Sequence, residues 1–210
     1  KALTGDVETT YKWSNLSLEV DRKNEHTLQS RVLFIHGWFI GHWKLPISQL
    51  IPLSYTGADA GFRTGDIIFA CFNLSLAVVQ KSTCGKHLNE VIQTATDHFV
   101  RNNNAVVNAA FHLIHEEQVA KAFQGRTESY TSLTDEKYDE MKDVASICET
   151  DLFNQIAYYL VSKLKLNAHF GNWDEAIGWG EKSIPLLPAF ASQPGEIELE
   201  QFYTMATLYK

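Results

Sequence analysis

No apolar run in the 210-residue chain approaches the roughly 18 residues of a membrane-spanning helix. The apolar stretch Val32–Trp43 is interrupted by His36 and His42. An excess of cations is also lacking: 18 Lys and Arg face 25 Asp and Glu, giving a net charge of −7 and a pI near 5.6. Such a surface repels nucleic acid and anionic membranes, so neither is expected as a partner. Cysteine is scarce. Cys71, Cys84 and Cys148 are widely spaced and odd in number, which suits reduced packing thiols in the cytoplasm better than a disulfide framework. The sequence opens at Lys1 without a signal-like segment, and a helical pattern still runs at Tyr209–Lys210; the expectation is a cytoplasmic fragment of a longer protein.

What the chain does have is apolar residues, 45% of the total, arranged with helical period and in a length that can bury a substantial core. In Asn167–Leu187, Trp173, Ala176, Ile177, Gly180, Ile184 and Leu187 form one helical stripe. The preceding Leu152, Ile156, Leu160 and Leu164 recur every four residues and can cover it, with Gly171 permitting a tight turn between them. The same register recurs 85 residues earlier in Leu88, Val91, Ile92, Ala95 and Phe99. Glycines near turns, Gly41, Gly85, Gly125 and Gly171, are spaced by 44, 40 and 46 residues. A period near 43 suits stacked two-helix repeats, each too small to bury its apolar face alone.

The remaining segments also read as helical. Asp6–Val20 has a mixed apolar pattern, and Glu25–Ile40 reads as a largely buried helix. Pro46 sits in the first turn of the next one. Ile67–Gln80 is apolar nearly all round, hence central, and Asn104–Phe123 continues the pattern. Gly125–Leu133 is a polar loop, after which Thr134 can cap a short helix with Asp135 and Glu136 in its first turn. A long helix is expected from Val144 to His169. Gln193-Pro194-Gly195 reads as a turn before Glu196–Lys210.

Motifs with chemistry are incomplete. Val32–Trp38 looks like the strand-then-His-Gly entry to a hydrolase oxyanion loop, but no G-x-S-x-G nucleophile elbow exists anywhere. His112 and His115 lie one helical turn apart next to Glu116 and Glu117, the weak candidates for a transition-metal site. Solvated helix surface is the plain reading of the same residues. Gly85-Lys86 and Lys182-Ser183 both fail the phosphate-loop pattern. Asn15-Leu16-Ser17 and Asn73-Leu74-Ser75 match glycosylation sequons by pattern alone. Of the tryptophans, Trp179 falls off the main stripe and is the expected exposed or inter-repeat aromatic.

The motif Ala168-His169-Phe170-Gly171-Asn172-Trp173-Asp174-Glu175-Ala176-Ile177 resembles a tetratricopeptide-type turn, although the period near 43 exceeds that repeat's usual 34. With Arg63-Thr64-Gly65-Asp66 and Cys84-Gly85-Lys86-His87-Leu88, the helix order is similar to the helical-repeat region of large bacterial signalling proteins. Those carry a serine/threonine kinase-like domain, an AAA-type ATPase, GAF and histidine kinase modules. The resemblance implies a role and not an activity, because the family's kinase and ATPase residues would lie outside these 210. The expectation is therefore an all-α single domain over 1–210, a tetratricopeptide-like α-solenoid of stacked antiparallel hairpins. It would be non-catalytic and without a cofactor, acting as an interaction and signal-relay scaffold towards a protein partner or neighbouring domains. The alternatives are an all-α enzyme or metal-binding domain using His112 and His115, and a stand-alone helical-repeat adaptor.

Overall fold

A computed structural model describes residues 5–102, 106–149 and 152–210. Among these there is no strand, and helices account for the regular structure. They are α1 (Val7–Lys23), α2 (Gln29–Ile35), α3 (Ile47–Thr64), α4 (Ile67–Thr83), α5 (Leu88–Asn102), α6 (Val107–Phe123), α7 (Glu140–Cys148), α8 (Phe153–His169), α9 (Trp173–Ser183), α10 (Leu187–Phe190) and α11 (Pro194–Tyr209). No helix among the described residues is long and apolar enough to cross a membrane. The helices group into two compact units, Lys1–Glu116 and Glu117–Lys210.

The first unit is built on α2, α3 and α4. As its composition requires, α4 is the most enclosed, with Ala70, Leu74, Leu76, Ala77 and Val78 fully buried. Phe34 of α2 stacks on Phe72 with ring centroids 5.3 Å apart and meets Phe69 edge-on. Asn73 lies inside this packing. Its amide nitrogen donates to the carbonyls of Ser30 (2.9 Å) and Phe69 (2.8 Å), so its sequon is sealed in the fold. The buried helix expected over Glu25–Ile40 is shorter: α2 loosens at Ile35 into a π-turn, His36–Ile40, and a 3₁₀ turn, Gly41–Trp43. The hydrolase-like stretch is thus helical.

The second unit contains the hairpin read from Gly171. Gly85, Gly125 and Gly171 all have positive φ, of 73°, 68° and 75°, and close their helices alike. Asn172 donates its N–H to Asn167 (2.9 Å), Arg126 to Lys121 (2.9 Å) and Lys86 to Lys81 (3.0 Å), the six-residue closure that a left-handed glycine allows. Gly41 differs: its φ of −59° is right-handed, and the π-turn runs on there into the 3₁₀ turn. After the turn, α9 packs on α8, and α11 rests on both. Contact with α11 is close at Gly180, where an added Cβ would lie 2.2 Å from the Tyr203 ring. Ala176 and Leu164 are fully buried.

Three expectations about element ends are corrected. The helix predicted from Val144 to His169 is two, α7 and α8, with Leu152 leaving helical backbone at ψ 67°. Thr134 is not the N-cap residue, because the helix starts at Glu140 and not beside Asp135 and Glu136. Asp139 caps α7 by accepting from the Lys142 N–H (3.1 Å), and the Thr134 hydroxyl oxygen accepts from the Glu140 N–H (3.2 Å). Pro194 opens α11 at its first turn, where a missing N–H costs little, and the expected turn is the start of that helix.

Candidate interaction surface

The feature least accounted for by packing is α1. Asp6 caps it by accepting from the Thr9 N–H (3.0 Å), and hydrogen bonds from Thr9 hold the Asp6 carboxyl below its usual pKa. The helix attaches to its unit through polar groups: its buried residues are Ser14 and Asp21. Ser14 Oγ and His36 Nδ1 are 2.8 Å apart in a buried hydrogen bond, and the Tyr11 ring lies 6.0 Å from the same imidazole. Burial lowers the His36 pKa, favouring the neutral ring. Asp21 accepts from the Leu28 N–H (2.8 Å) and faces His26 Nδ1 at 3.3 Å. That clasp shapes the connection in which Glu25 and His26 take left-handed backbone, with φ of 57° and 59°.

With polar residues turned inward, the apolar ones turn outward. Trp13 is 66% exposed, Leu16 45% and Val20 49%, one stripe at i, i+3, i+7. Leu28, 53% exposed, continues it onto the start of α2. Between these residues and Val32 runs a groove of about 780 Å³, also lined by Lys23, Asn24 and Glu25. Exposed apolar groups clustered around a groove, rather than scattered singly, mark a surface that receives another surface.

The weak metal candidates sit elsewhere. His112 and His115 are buried, not solvated, which overturns the plain reading of them as helix surface. The His112 ring meets Trp38 at 5.2 Å and Phe111 at 5.2 Å, both edge-on, while His115 stacks on Phe111 at 5.1 Å. Burial pushes the His112 pKa down to about 4, so the ring is neutral at pH 7. Among the described residues, no group of three or more His, Cys, Asp or Glu side chains could hold a metal ion. Trp179 is half-buried and serves within its unit, edge-on to Tyr159 at 6.0 Å and under the Lys182 ammonium at 4.4 Å. Cys71 is buried, Cys84 half-buried and Cys148 exposed, all as free thiols.

Periodicity gave no sign of a second polar centre, in the other unit. Glu140 and Lys163 form a buried ion pair at 2.7 Å. The Glu140 carboxylate also accepts from the Leu133 N–H (2.8 Å) and the Tyr159 hydroxyl (2.8 Å), and Lys163 donates to the Thr131 carbonyl. Desolvation raises the Glu140 pKa, but Lys163, the Leu133 N–H and Tyr159 outweigh it and hold the group ionised below its usual range. Burial and Glu140 push the Tyr159 phenol up. Nearby, Lys121 bridges Glu117 (2.7 Å) and Asp135 (2.8 Å). These bonds tie the polar loop after Gly125 to the unit's core, and Glu117, Lys121, Asp135, Glu140 and Lys163 each meet an opposite charge within the unit. The signal in the sequence was the concentration of Asp and Glu beside α7, read there only as helix-end charge.

Compared with protein-family models, with curated proteins and with solved structures, the chain gives no match.

Proposed function

We propose that the chain is a non-catalytic interaction and signal-relay segment, similar to the helical-repeat region of multidomain signalling kinases and ATPases of the bacterial type. The observation that carries this reading is the outward stripe Trp13, Leu16 and Val20 beside its groove. An apolar face that a helix does not use internally is available to a protein partner or to neighbouring domains. The repeat reading draws on the shared closure at Gly85, Gly125 and Gly171, spaced by 40 and 46 residues, and on α11 resting against both helices of the hairpin before it. In a stack, each hairpin passes its apolar face to the next in this manner. Gly41 stands outside that pattern, so the repeat begins after it.

The test is made in the parent signalling protein. Trp13→Ser combined with Leu16→Ser alters only exposed side chains, so the helical content and melting of the 210-residue chain should not change. Stimulus-dependent phosphorylation by the parent should fall about tenfold, the equivalent of roughly 1.4 kcal/mol in coupling. Unchanged phosphorylation, or a parent gene without kinase or ATPase modules, would overturn the reading.

A further inference from the structure

We infer that the outward stripe of α1 pairs with the same stripe of a second copy of this chain, antiparallel, about a two-fold axis beside Asn15 and Leu16; this rests on reading that face as an interaction surface. The spacing of Trp13, Leu16 and Val20 is the alternating three-and-four step of a two-helix seam. Charge order selects the occupant and its direction. At 100° per residue, Glu8, Lys12, Glu19 and Lys23 fall along one flank of the stripe and read acid, base, acid, base. All four are exposed. The other flank carries Thr10, Ser17 and Asn24, which are neutral.

An antiparallel copy presents its own charged flank to this one in reverse order. Lys12 then lies opposite Glu19 of the second copy, and Glu8 opposite Lys23 of the second copy, each relation occurring twice by symmetry. Trp13 falls between Leu16 and Val20 of the second copy, as a knob into a hole. A parallel pair would instead place the charged flank against the neutral one and make none of these contacts. Among the described residues Lys12, Glu19 and Lys23 form no ion pair within the chain, while Glu8 also meets Lys44. The contact is isologous and closes as a dimer rather than growing into a filament.

Sedimentation of the 210-residue chain over about two decades of concentration tests this. A monomer–dimer equilibrium is expected, and Leu16→Glu should abolish it by placing a carboxylate at the axis. Lys12→Glu alone and Glu19→Lys alone should each weaken dimerisation about tenfold or more, since each sets like charges together twice. Mixing those two variants should restore it, because the mixed pair has only opposite charges in contact, and so should both changes in one chain. The inference is overturned if the native chain stays monomeric, if the dimer survives Leu16→Glu, or if the dimer is indifferent to the charge reversals and to mixing. A monomer whose parent nonetheless loses phosphorylation on Trp13→Ser with Leu16→Ser refutes the pairing and leaves the interaction surface standing. A dimer that behaves as stated, with phosphorylation unchanged, upholds the pairing and refutes the signal-relay role.

Discussion

Two buried residues of opposite reputation, Ser14 and His36, decide how α1 sits. The helix has two possible inner faces, and hydrophobicity favours the one with Trp13, Leu16 and Val20. The bonded pair Ser14–His36, at 2.8 Å, with Asp21 accepting from Leu28, turns the other face inward. His112 offers the sharpest test at the same scale. An ordinary histidine titrates near 6.5, and this one is pushed down to about 4 by burial. Unfolding therefore takes up a proton in that interval: stability is full above about pH 6.5 and falls as the pH drops towards 4. The interval corresponds to roughly 3 kcal/mol. His112→Gln should flatten the pH dependence of the urea midpoint between about pH 6.5 and 4, leaving the slopes of His36 and His98, whose pKa values burial also lowers, and, towards pH 4, that of Glu140, which its partners hold ionised. An unaltered slope would mean that the ring does not titrate from its buried position.

For whole elements, the legible part of the sequence was the apolar period. It placed α4, α5, α8 and α9, because their stripes face helices of their own neighbourhood, and it placed the turns at Gly85, Gly125 and Gly171, because only a left-handed residue closes them. Illegible were the features that depend on partners far along the chain. The break before α8 is invisible to periodicity, since Val144, Cys148, Leu152 and Ile156, each four residues from the last, continue a helical stripe across it. The candidate surface was half legible: Trp13, Leu16 and Val20 stood out as apolar, but not as outward-facing, because the groups that orient α1 are 22 and 7 residues away. The Glu140–Lys163 pair was hidden for the same reason, its members lying on α7 and α8. Removing one partner strands the other in a desolvated site. Glu140→Gln should cost roughly 3 to 5 kcal/mol in urea denaturation and expose the Gly125–Tyr138 segment to proteolysis; a native cleavage pattern would show that Lys163 does not depend on the carboxylate.

In the whole molecule, an acidic chain of net charge −7 associates with itself only where local charges alternate, and the flank of α1 is such a place. Self-pairing through that helix would let one protein's state bias another's, the simplest physical basis for relaying a signal. The direct measurement of the central claim, that the outer face of α1 meets another protein surface, is amide hydrogen exchange at low and high chain concentration. Slower exchange on concentration is predicted over Val7–Val32, with α8 and α9 unchanged as internal controls. Exchange over Val7–Val32 that is the same at both concentrations would contradict the account.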